Sequence, residues 1–149
     1  MICQSGAIAR FAAKLNGLYP SDPRKALNVD EMYDSVEALY SVPRDHSIPD
    51  EERALKREAW AGADLATFHK FFKLRVDPHS PYIANGEFSL ADIDIYVIFY
   101  KLLPSKFVGF SEKKLREAAP AVYEYLDKLV HTPEMKKILE KASLHPYSF

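Results

Sequence analysis

Phe88-Ser89-Leu90-Ala91-Asp92-Ile93 is the stretch on which the fold turns. A serine followed three residues later by an aspartate is a capping box: the serine oxygen accepts from the Asp92 amide while the carboxylate reaches back to the Ser89 amide. Phe88 and Ile93 flank the pair as a hydrophobic staple. The helix it opens, Ile93 to Leu103, is apolar nearly all round, through Ile93, Ile95, Tyr96, Val97, Ile98, Phe99, Tyr100, Leu102 and Leu103. A helix without a polar face must be covered on every side, so this one belongs at the centre of a helical core. Asn85-Gly86, just upstream, is the strongest hairpin signal in the chain, yet the residues after it have helical character.

Further helices are expected on both sides of that centre. Asp50-Glu51-Glu52 puts acid at the positive end of a helix that runs through Trp60, Leu65, Phe68 and Phe72 to about Val76, with a bend at Gly62, before Asp77-Pro78 ends it. Asp22-Pro23 pairs a capping oxygen with a proline at the first helical position, ahead of a stripe of Ala26, Val29, Met32, Val36 and Leu39 that stops before Pro43. Ser5 offers an N-cap to a helix carrying Ala7, Ile8, Phe11, Ala12 and Leu15, which Gly17 ends. Downstream, Pro120 to His131 and Thr132-Pro133 to about Ala142 complete the set, followed by an irregular aromatic tail, Ser143 to Phe149. Only Met1 to Cys3 reads as the end of a strand, so the expected fold class is all-α with a short strand remnant at its start.

Composition bounds the function. Hydrophobic residues make up 48% and charged residues 28% of the chain, the balance of a globular domain. A net charge of -1 supplies no field to attract nucleic acid or an acidic membrane. Cys3 has no second cysteine to pair with, which suits a reducing, cytosolic compartment, and it is expected to be a small buried residue and not a nucleophile. His46, His69, His79, His131 and His145 lack metal-ligand spacing, so no metal site is expected.

Two stretches together resemble glutathione transferases, most nearly the sigma, alpha, mu and pi group. Gln4-Ser5-Gly6-Ala7-Ile8-Ala9-Arg10-Phe11 is similar to the family's Gln-Ser-x-Ala-Ile-x-Arg-Tyr turn, followed by Gly17-Leu18-Tyr19 and by Met32-Tyr33-Asp34-Ser35-Val36-Glu37-Ala38-Leu39. Phe88 to Ile93 is similar to the capping box of the family's helical domain, and the order and separation of the two stretches agree. The resemblance implies that residues 1–17 are the end of a thioredoxin-like domain and that 18–149 form the helical C-terminal domain.

It also implies a site. Gln4 and Ser5 would hold the glutamyl end of glutathione, a carboxylate suited to a helix N-terminus; the plain reading of the pair is a helix cap. The family's acid on the partner subunit's second helix aligns with Ala38, a departure for which Asp34 or Glu37 could substitute unless both are solvated surface charges. Tyr40, Tyr147 and Phe149 are placed to line the electrophile site, or else to pack. Ser89 and Asp92 are structural on any reading, and Arg10 is a packing and ion-pair residue. The tyrosine or serine that lowers the thiol pKa, and the proline that binds the cysteinyl backbone, precede Met1 in the family's order.

Two functions are compatible with these residues. One is a glutathione transferase, a cytosolic homodimer taking glutathione and a small hydrophobic electrophile, represented by an N-terminally truncated chain that cannot by itself activate the thiol. The alternative is a non-catalytic interaction module with the same helical fold.

Overall fold

The computed structural model describes residues 3–41, 49–103 and 111–143, and every regular element among them is a helix. In chain order these are α1 (Ser5–Leu15), α2 (Pro23–Ser41), α3 (Asp50–Gly62), α4 (Asp64–Arg75), α5 (Leu90–Tyr96) running on into a π-helical turn (Val97–Leu102), α6 (Glu112–Ala118), α7 (Pro120–Leu129) and α8 (Pro133–Ser143). The all-α expectation is met. Met1 and Ile2 of the expected strand remnant lie outside the described residues, and Cys3 has no strand partner and is exposed, not buried as expected.

α5 is the centre, as its sequence demands. Ala91, Ile95, Phe99 and Leu103 are wholly buried along it, with α2, α1 and α7 packed around it. Rings join the layers: Phe68 of α4 stacks on Phe99 at 5.6 Å, and Phe72 meets the edge of Tyr125 of α7 at 5.5 Å. Both halves of the capping box form. Asp92 does more than close a cap, because its fully buried carboxylate accepts from the Ser89 amide at 2.7 Å, the Ser89 hydroxyl at 2.9 Å, the Ile83 amide at 2.9 Å and the Tyr125 hydroxyl. One carboxylate thus ties the Ile83 loop, the start of α5 and α7 together.

Local signals explain most element ends. Asp22 Oδ1 accepts from the Arg24 and Lys25 amides at 3.0 and 2.9 Å, capping α2. Gly17, at φ 70, lets the Leu18 amide return to the Ala13 carbonyl at 2.9 Å, a Schellman stop that carries the chain off α1. Asn85 and Gly86 both have positive φ, 60 and 68, and the Glu87 amide bonds the Ala84 carbonyl at 3.2 Å. Asn-Gly therefore makes its mirror-image turn, but between a loop and a helix.

Three expectations change. The single helix from Asp50 to Val76 is two, broken at Ala63. Trp60 and Leu65 are both buried, and five residues along a straight helix would place them on different faces, so the break after Gly62 lets both enter the core. The helix after the capping box widens into a π turn, inside which the Phe99 carbonyl accepts from the Tyr123 hydroxyl at 2.9 Å. α6 was not foreseen: Leu115 is its one buried side chain, too little for a periodic signal, although Ser111 caps it by accepting from the Lys114 amide at 3.2 Å.

Candidate functional site at the start of α1

The helix begins one residue earlier than its sequence suggests. Ser5 is the first helical residue, not the cap; Gln4 holds the cap position with φ 76 and ψ 102, and no side chain caps the helix. A left-handed backbone at a residue other than glycine is uncommon and costly, and such outliers cluster at ligand clamps. Gln4 and Ser5 are both exposed.

α1 is anchored behind this end by charge. Arg10 pairs with Asp30 at 2.6 Å and with Asp34, and it lies over the Tyr33 ring at 4.7 Å. The Tyr19 hydroxyl donates to the second Asp30 oxygen at 2.6 Å. Partial burial opposes the charge on Asp30, yet the bonds from Tyr19 and Arg10 still hold its pKa below the usual range. Gly6 eases the close approach: a Cβ there would lie 3.1 Å from the Arg10 guanidinium, which would have to give by a few tenths of an ångström, and in ordinary contact with the Tyr33 ring at 3.5 Å.

The other expected site residues are more scattered. Asp34 is spent on Arg10 while its side chain stays 66% exposed. Glu37 is half-buried and Ala38 exposed. Tyr40 is buried in the core, which favours its packing reading. Tyr147 and Phe149 lie outside the described residues. Ser89 and Asp92 are structural.

Sequence reasoning passed over Asp94. It lies in α5 where that helix meets α1 and α2, and its Oδ2 is buried with no partner among the described residues. Burial, then the charge of Glu37, push its carboxyl up to about 8. The signal was present: Ile93-Asp94-Ile95 sets an acid inside an otherwise apolar helix.

A separate cleft of about 470 Å³ opens between α2 and the end of α4, lined by Leu27, Asn28, Glu31, Arg75 and Asn85 among others. Its polar groups already satisfy one another: Arg75 binds Glu31 through two bonds of 2.8 and 2.7 Å, and Asn28 donates to Asn85 at 2.7 Å. Among the described residues no group of three or more His, Cys, Asp or Glu is arranged to hold a metal ion, and no helix is long and apolar enough to cross a membrane.

No family model and no curated protein matches the chain. Among solved structures, prostaglandin synthase D of Nilaparvata lugens is similar to it, with a TM-score of 0.72 and 22% identity over 94% of this chain and 68% of that one. At this identity the likeness shows a shared fold over nearly the whole of this chain.

Proposed function

We propose that the chain is the helical part of a glutathione transferase and holds glutathione at the start of α1 through Gln4 and Ser5. The observation that carries this reading is the helix end itself, uncapped by any side chain, with a left-handed Gln4 before it and an exposed Ser5 on it. The first amides of a helix lack intrahelical acceptors and the dipole is positive there, so a carboxylate such as that of the glutamyl group is favoured.

In this reading residues 1–17 belong to a thioredoxin-like domain and 18–149 to the helical domain of a cytosolic homodimer. The apolar face of α1 supports it. Ile8, Phe11 and Leu15 lie three and four residues apart and are 47, 63 and 71% exposed, a stripe suited to packing on the sheet of such a domain. That domain, ahead of these 149 residues, supplies the Tyr or Ser that turns the thiol into a nucleophilic thiolate for attack on a small hydrophobic electrophile, the chemistry of detoxification. These residues hold glutathione, the substrate, and leave the activation of its thiol to that domain. Asp34, paired to Arg10, and Glu37 remain the two candidates to meet the glutamyl amine in a partner subunit. Tyr147 and Phe149 remain the candidates for the electrophile wall.

Retention on immobilised glutathione, lost in Ser5→Ala, is the expected result. No retention, together with a stable complex with an unrelated protein, supports the alternative, a non-catalytic interaction module.

A further inference from the structure

Asparagine followed by glycine occurs twice, at Asn16-Gly17 and Asn85-Gly86, and the fold treats the two pairs differently. With no side chain on the glycine to shield it, the following backbone nitrogen can attack the asparagine Cγ. The N–Cγ bond forms, the Cγ–Nδ2 bond breaks, and ammonia leaves with the proton of the attacking amide. Water then opens the cyclic imide at either carbonyl, giving aspartate or isoaspartate; one water enters, one ammonia leaves, and nothing is oxidised or reduced. Both asparagines are exposed to water, so what separates them is how each side chain is held. Asn85 is pinned on α2 at both ends: Nδ2 donates to the Lys25 carbonyl at 3.0 Å, and Oδ1 accepts from Asn28 at 2.7 Å. Asn16 makes one bond, from Nδ2 to the Ala12 carbonyl at 2.8 Å, at the end of α1 with an ordinary φ of -109. Beside it, a Cβ added to Gly17 would meet nothing within 4 Å. Helix ends of this kind open at little cost, whereas freeing Asn85 means lifting its loop from α2.

We propose that Asn16 is the site of a one-way, non-enzymatic deamidation that unfastens the end of α1, and that Asn85, the same dipeptide, is protected by its clasp on α2. The product cannot restore what is lost. An aspartate at position 16 sets an acceptor against the Ala12 carbonyl where a donor stood, and puts negative charge at the negative end of the helix dipole. Isoaspartate lengthens the backbone just where Gly17, at φ 70, returns the Leu18 amide to the Ala13 carbonyl. Lys14, the basic residue of that turn, is already held over the Tyr19 ring at 4.9 Å. The inference rests on α1 alone and stands whether or not glutathione binds.

The experiment incubates the folded chain at mildly alkaline pH, and in parallel the chain unfolded in guanidinium chloride. Peptide mapping by mass spectrometry follows each site through the mass gained when the amide becomes an acid and through the appearance of isoaspartate. Dividing each folded rate by its unfolded rate removes the effect of neighbouring sequence. On that scale Asn16 is expected to react at least about fivefold faster than Asn85, the weight of the one extra hydrogen bond that holds Asn85. Asn28→Ala, which removes that bond, should raise the Asn85 rate about fivefold and leave Asn16 unchanged. Asn16→Asp, standing for the product, should speed hydrogen exchange in the last turn of α1 about fivefold, and more than Asn16→Ala, which loses the bond without gaining the charge. Equal normalised rates, a faster Asn85, an Asn85 rate indifferent to Asn28→Ala, or unchanged exchange in Asn16→Asp overturns the proposal.

Discussion

Replacing Asp92 with alanine is expected to come close to unfolding the protein. Four donors converge on this one carboxylate: the amides of Ser89 and Ile83 and the hydroxyls of Ser89 and Tyr125. The side chain is fully buried, so water cannot easily replace it. Each buried donor left without an acceptor costs about 1–3 kcal/mol. Removing the carboxylate also removes the cost of burying it, which burial shows by raising the Asp92 pKa against the pull of its donors. The net loss is on the order of 3–6 kcal/mol, against a total of about 5–15 kcal/mol for a domain. A lone helix cap is worth only about 1 kcal/mol. Tyr125→Phe removes one donor and leaves the other three satisfied, so it should cost about 1 kcal/mol. Urea unfolding followed by far-ultraviolet circular dichroism, compared at constant m-value, measures both. An Asp92→Ala loss no larger than that of Tyr125→Phe would show that the carboxylate is only a cap and refute this reasoning.

Other outcomes rest on single contacts. The Ala121 amide donates to His69 Nε2 at 3.3 Å, which needs a neutral ring, and burial followed by Lys73 lowers the His69 pKa. The unfolded chain therefore takes up this proton first, and stability should fall as pH drops below about 6.5, with a smaller fall in His69→Gln, read from urea midpoints at pH 7.5 and 5.5. The exposed Ile8, Phe11 and Leu15 stripe should make the isolated chain self-associate, and light scattering should show less association for Phe11→Ser; a clean monomer for the unaltered chain contradicts this. Arg10→Met leaves Asp30 and Asp34 without their cation and should speed hydrogen exchange in α1 more than in α7.

The features that could be read in advance are those that rest on local chemistry. Ser89 with Asp92, Asp22 with Pro23, and Gly17 each act within a few residues, so their consequences are written in neighbouring letters, and the apolar run from Ile93 marked the central helix. The hidden features depend on distant partners. That Asp92 also gathers Ile83 and Tyr125 cannot be seen until α7 is packed, and that Asp34 is consumed by Arg10 depends on how α1 lies on α2. Trp60 and Leu65 do carry the break between α3 and α4 in their spacing, but only once both are known to be core. α6 was missed because Leu115 alone faces inward. At the site, Gln4 and Ser5 were legible as a pair, while the left-handed backbone of Gln4 and the unpartnered, buried Oδ2 of Asp94 are properties of the fold.

The central claim, that the start of α1 holds glutathione, is tested most directly by titrating the isotope-labelled chain with glutathione and following its backbone amide resonances. Shifts concentrated at Ser5, Gly6 and Ala7 are predicted, saturating with concentration and abolished in Ser5→Ala while the α5 and α7 resonances stay in place. Saturating shifts that centre elsewhere, or persist in Ser5→Ala, would contradict it.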